Sequence, residues 1–350
     1  MVAERTLSAR ELNRALLARQ LLLERAKTPL PRALERIGGL QAQYSPSMYI
    51  GLWSRLAGFE RDQLTRALER RSVVQGTLMR MTIHLVSKRD YWPFAVAVRK
   101  ARRDQWLQTR DPSAREISSA ARRVRRAIGD GAMTSAELDA ALGDRKGPIA
   151  VWRNGVGLWV DLVRVPPSGT WERRRADIYA VAEEWVGPEN ASEGDGLAHL
   201  VRRYLGGFGP ATRKDIADYA GVGLTAIDRA LKAMKLRRFR AEDGAELVDL
   251  PRAPLPDPDI PAPVRFLPTW DATLLAHARR TGILPEKHRS KVFNVKTPQS
   301  VSTFLVDGVV AGTWTYDKGR VKTDPFGRLD AAARRELKAE ADRLAALHAP

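Results

Sequence analysis

A chain of 350 residues, 44% hydrophobic and 29% charged, is long enough for more than one core and has the make-up of a folded soluble protein. The absence of cysteine excludes disulfides, thiol nucleophiles, cysteine-bound zinc and iron–sulfur clusters. With 59 basic against 41 acidic residues, and a net +13 within residues 1–150, the expected partner is a polyanion, DNA rather than a membrane surface.

In chain order the periodicity gives one pattern three times, helices followed by a short strand pair. "LSARELNRALLARQLLLER" opens with Ser8 three residues before Glu11, a capping-box spacing ahead of apolar residues at helical period. "PLPRALERIG" and "FERDQLTRALERR" continue as helices, and "SVVQGTLMRMTIHLVS" switches to strand alternation. The second unit runs from "REISSAARRVRRAIGDG" through "MTSAELDAALG" to "IAVWRNGVGLWVDLVRV", where Asn154–Gly155 reads as a hairpin turn. The third is the clearest. A helix is followed by a second capped at Thr212, a "GVG" turn, a third helix, and a hairpin turning at Asp243–Gly244, the order of a winged helix-turn-helix.

The proline-rich stretch 251–264 reads as a linker; beyond it come strands and a final helix from about Asp330 to His348. The expected fold is mainly α with small β-hairpins (α+β). Three tandem winged-helix units occupy 1–112, 113–192 and 193–250, and a mixed C-terminal module occupies 265–350. No stretch is apolar enough for a signal peptide or membrane span, so a cytoplasmic protein is expected, acting as a monomer. The five histidines show no metal-binding spacing and no P-loop occurs, so neither metal nor cofactor is expected.

Four segments carry a family resemblance: "RALERIGGLQAQYSPSMYIGLWSRL", "LMRMTIHLVSKRDYW", "FLPTWDATLLAHARRTGILPEKHRSKV" and "VDGVVAGTW". Together they resemble the AlkZ-type DNA glycosylases over nearly the whole chain. The resemblance implies tandem winged helices around a concave DNA-binding surface, and a catalytic Gln-X-Gln pair, here Gln41 and Gln43. It also implies excision of alkylated purines, above all bulky or crosslinking N7-alkylguanines, and a role in self-resistance to a DNA-alkylating natural product.

The residue types suit that chemistry. In extended backbone Gln41 and Gln43 point to one side and Ala42 to the other, whereas in a helix they would lie about 200° apart; Gly38, Gly39 and Pro46 favour the extended form. An amide is too weak a base to deprotonate water, but its carbonyl can orient one. That suffices for a cationic N7-alkylguanine, which departs as a neutral base without a general acid. Taken alone, the pair also fits a solvated loop or a helix cap.

Supporting candidates carry their own alternatives. Arg80, Thr82 and His84 fall on one face of the first hairpin, either lining a lesion site or facing solvent. Arg55 holds a phosphate or simply ends a helix. Arg279, Arg280, His288, Arg289 and Lys291 form a basic cluster suited to a DNA groove or to a solvated loop. Asp271 is a rival carboxylate catalyst or a helix cap. The partner is duplex DNA bearing an alkylated purine, and the expected reaction is monofunctional hydrolysis, since no lysine neighbours the glutamines. The competing reading is a winged-helix transcription regulator without catalysis.

Overall fold

The computed structural model describes residues 3–110, 112–143, 147–277, 282–293 and 300–349. Strand β1 (Thr6–Leu7) leads into α1 (Ala9–Arg19), whose start carries the full Ser8–Glu11 capping box. The first unit continues with α2 (Leu30–Ile37), β2 (Leu40–Gln41), α3 (Ser45–Arg55), α4 (Arg61–Glu69), the hairpin β3 (Val73–Thr77) and β4 (Ile83–Ser87), and α5 (Lys88–Thr109). The second comprises α6 (Ala114–Ile128), β5 (Met133–Thr134), α7 (Ser135–Leu142), α8 (Ile149–Trp159), β6 (Leu162–Arg164), β7 (Ile178–Val181) and α9 (Ala182–Val186). The third has α10 (Glu193–Phe208), α11 (Arg213–Ala220), α12 (Leu224–Lys232), β8 (Arg237–Ala241) and β9 (Glu246–Asp249). Then follow β10 (Arg265–Leu267), α13 (Arg289–Val292), β11 (Thr303–Val306), β12 (Val309–Asp317), β13 (Arg320–Pro325) and α14 (Ala331–His348), the last capped by Asp330.

The units interlock. The hairpins of the first two join in one six-stranded sheet of order β2-β4-β3-β6-β7-β5, and β1 pairs in parallel with β8 of the third. The four-stranded sheet β10-β11-β12-β13 packs Phe266, Phe304 and Trp314 into the same core as Leu34, Tyr49 and Leu52 of the first unit. Each such side chain, fully buried, contributes about 1.5–3 kcal/mol. Residues 251–264 lack regular structure, as their prolines require, yet they are strapped along α1. Arg19, Arg10 and Arg14 donate to the carbonyls of Pro254, Pro258 and Ile260 at 2.9, 2.7 and 2.7 Å.

Three local expectations are corrected. Asn154–Gly155 is no hairpin turn but the middle of α8. Gly155 is needed there because a Cβ would stand 2.5 Å from the Trp106 ring, so the glycine serves close helix packing rather than a positive φ. The strand alternation across "LMRMTIH" is broken at Met79–Met81, where Arg80 and Met81 take left-handed φ values of 52° and 56° and fold the tip into a tight turn. The helices α3 and α5 are additional to the predicted set, and α5 carries Pro93 in its second turn.

Candidate active site

A common slot recurs in all three units: a short strand or bridge ahead of α3, α7 and α11 pairs with the last hairpin strand. β5 pairs with β7, Ala211 bridges Val248, and β2 pairs with β4. In the second and third units a capping threonine starts the helix at once, Thr134 with Glu137 and Thr212 with Asp215. In the first unit Ala42 and Gln43 intervene, and the cap residue Tyr44 makes no side-chain cap hydrogen bond. The chain reaches this slot through Gly38 and Gly39, both at positive φ (79° and 85°), a turn from α2 into β2 that L-residues resist.

Here the two glutamines meet. Ala42 is buried, Gln41 is buried, Gln43 is exposed, and Gln41 Nε2 donates to Gln43 Oε1. The orientation of both amides follows from one neighbour. Arg80 Nη2 donates to Gln41 Oε1 at 3.1 Å, and because arginine only donates, Gln41 must present its carbonyl to it and its NH2 to Gln43. Gln43 in turn must offer its carbonyl oxygen, which keeps a second lone pair. Arg80 is itself seated on the third unit. Its Nη1 donates to the Tyr219 carbonyl at 2.7 Å and its guanidinium lies 4.7 Å from the Tyr219 ring centre, while the Tyr219 hydroxyl donates to Gly38 O at 3.2 Å. Replacing Arg80 by Met frees the Gln41 amide to rotate. The loss of one charge-assisted hydrogen bond, about 1.5–3 kcal/mol, corresponds to an expected fall in single-turnover excision of roughly tenfold or more.

His84 lies directly opposite Gln41 in the β2–β4 ladder, on the same face. It is fully buried, and its Nδ1–H donates to the Thr82 carbonyl at 3.0 Å. Burial first, then the charge of Arg80, lowers its pKa from 6.5 to about 3, so the ring is neutral at physiological pH. Its folded pKa is depressed below the unfolded value. The stability it contributes is therefore complete above pH 6.5 and is lost as pH falls towards 3. We expect the melting temperature to drop between about pH 7.5 and pH 5, and to drop less in His84→Gln, as calorimetry at both pH values would record. Thr82 turns inward, donating its hydroxyl to Met79 O at 3.1 Å.

The remaining candidates lie elsewhere. Arg55 is buried at 0% exposure and forms a paired-nitrogen bridge to Asp271 at 2.8 and 2.9 Å, so the expectation of a phosphate contact is corrected: no surface reaches it. Burial alone would raise the Asp271 carboxyl, but Arg55 and Thr273 hold it below the usual aspartate range. With its oxygens engaged by Arg55 and Thr273, Asp271 caps the short turn Ala272–Leu274 and has no free face for a reacting water. His288 packs on Phe326 at 4.7 Å between ring centres, Lys291 lies 4.9 Å above the same ring, and Arg289 pairs with Glu286 at 3.3 Å. Arg289 and Lys291 are exposed, and the partners of all three lie in the C-terminal module, away from the glutamines. Arg279 and Arg280 lie outside the described residues.

Sequence reasoning missed the lining beside Gln43. A cavity of about 320 Å³ opens there, bounded by Met81, Trp106, Arg110, Asn154, Arg164 and Tyr179 among others. Among the described residues no group of histidines and carboxylates is arranged to hold a metal, and no helix is long and apolar enough to cross a membrane.

Tandem winged-helix units with a paired-amide site in the first define the class of protein. The chain belongs to the AlkZ-like DNA glycosylase family, whose model matches residues 34–347. It is accordingly a DNA glycosylase, and the reading as a regulator without chemistry falls away. Its fold is similar to that of the Streptomyces sahachiroi DNA glycosylase AlkZ, with a TM-score of 0.82 over 97% of each chain at 18% sequence identity. No curated protein matches it in sequence.

Proposed function

We propose that the protein is a monofunctional glycosylase for N7-alkylguanine in duplex DNA, bulky and crosslinked adducts included, with Gln41 and Gln43 holding the attacking water. The single observation carrying this is the contact between the two amide tips, oriented by Arg80 so that a carbonyl lone pair of Gln43 faces outward. Neither amide titrates near neutral pH, so the pair positions water instead of ionising it. As the C1′–N9 bond breaks, the alkylated guanine leaves with the bonding electrons as a neutral base. The water oxygen bonds to C1′ and its surplus proton passes to solvent. The developing sugar cation is stabilised by nearby negative charge, chiefly the phosphates.

The exposed Arg289 and Lys291 are read as backbone contacts, with Arg279 and Arg280 assigned the same role from sequence. We read it as acting as a cytoplasmic monomer, and the sequence likeness supports a role in protecting its host from a DNA-alkylating natural product. A duplex carrying a single N7-methylguanine tests the reaction. The expected products are free base and an intact strand with an abasic site, nicked only by alkali, at a rate flat between about pH 6 and pH 9. Strand cleavage without alkali, a protein–DNA adduct trapped by borohydride, or no base release across a panel of N7-alkylguanines would overturn the reading.

A further inference from the structure

The cavity beside Gln43 is lined in part by arginines that have no carboxylate partner among the described residues. Of the arginines lining it, Arg153 is paired with Asp139 at 2.5 Å, but Arg164 and Arg110 have no carboxylate within 4 Å among the described residues. Arg164 comes from β6, three strands from Gln41 in the shared sheet, and is held in place. Its Nη1 donates to Thr77 Oγ1 at 3.1 Å, its guanidinium lies 5.3 Å from the Tyr179 ring centre, and its buried Nε has no partner. The neighbouring buried arginine, Arg102, is matched by Asp161 at 3.4 Å, whereas Arg164 has no such carboxylate among the described residues. An arginine remains charged even when buried, and a fixed guanidinium without a carboxylate is a receptor for an anion.

We infer that this cavity binds a backbone phosphate next to the lesion, through Arg164 and Arg110, and that the alkylated base stays outside it. The inference rests on the reading of Gln41 and Gln43 as the water-holding pair. A damaged nucleotide offers the protein one cation, its base, and anions on either side. Arg164 repels the first and attracts the second. A phosphate seated there fixes the register of the strand, bringing C1′ to Gln43, and places negative charge beside the sugar cation as it forms. Trp106 and Tyr179 line the cavity with aromatic surface, and a lowered local dielectric strengthens ion pairing.

The test measures binding, so it remains readable whether or not base release occurs. The probe is a duplex with an N7-methylguanine on a 2′-fluoroarabino sugar, which resists cleavage, and with a neutral methylphosphonate placed in turn at each phosphate flanking the lesion. Wild-type protein is expected to lose about tenfold in affinity at one position. Arg164→Gln is expected to lose a similar factor on unmodified DNA, to lose nothing further at that position, and to reduce the slope of log affinity against log salt by about one. Arg110→Gln, at an exposed position, is expected to give the same non-additive pattern and stands in should Arg164→Gln fail to fold. A 2-aminopurine at the lesion position is expected to stay quenched on binding. Additive losses, no sensitive phosphate, or bright 2-aminopurine emission would overturn the assignment. Failure of base release with these results intact would instead overturn the catalytic reading.

Discussion

Gln43→Ala is expected to reduce single-turnover base release on the order of a hundredfold or more while leaving duplex affinity and melting temperature close to wild type. The side chain is exposed, so its removal opens no cavity. What disappears is the one outward carbonyl whose direction is fixed through Gln41 and Arg80. A water held only by bulk solvent loses the advantage of fixed orientation, which is the main contribution an amide can make. Rapid-quench measurement on N7-methylguanine DNA, with anisotropy for binding, separates the two effects. Full activity in this variant would leave the pair without a role. Gln41→Ala should be inactive for a less clean reason, because it also strands a buried Arg80 nitrogen.

The second large effect is on stability. Arg55→Ala should destabilise the fold by about 3–5 kcal/mol, because it leaves Asp271 as a buried carboxylate without its cation. The pair sits inside a wider network. Arg55 Nη2 also donates to Gln20 Oε1 at 3.3 Å, and Gln20 Nε2 donates to the carbonyls of Ile37 and Gly207 at 3.0 and 2.9 Å. One cluster thus ties α1, the end of α2, the end of α10 and the turn after Asp271. Asp271→Ala should cost a similar amount, whereas replacing both partners with apolar residues of like size should recover much of the loss. Urea denaturation of the three variants checks this. Similar stability of the single variants and wild type would show that the network contributes little.

Those arginines explain part of what composition could not reveal. Arg14, Arg19, Arg55, Arg102 and Arg265 are all buried, several of them paired to carboxylates from distant elements, so a share of the basic excess staples the core rather than meeting DNA. Single-residue type cannot distinguish the two uses; only the partner can, and Asp271 is 216 residues from Arg55.

Capping boxes and turn glycines made α1, α11 and the third hairpin legible, because those signals act over three or four residues. The same locality misled at Asn154–Gly155. There the dipeptide satisfied a hairpin rule, but the contact of Gly155 with Trp106, from a different helix, decided the outcome. The convergence of Gln41 and Gln43 was legible from strand geometry. The cavity lined by Arg164 was not, since it is assembled from β3, β4, α5, α8, β6 and β7 and no periodic pattern in any one of them records it.

The uncapped junction in the first unit has a consequence for how such a scaffold acquires chemistry. A side-chain cap is worth about 1 kcal/mol to a helix, and the first copy of the slot forgoes it for two extra residues of open chain. Its siblings, with Thr134 and Thr212 in place, keep the rigidity that the first relinquishes. Three units of like architecture thus divide two tasks: two keep a capped slot, and the first leaves on open chain the Gln41–Gln43 pair that we propose holds the water.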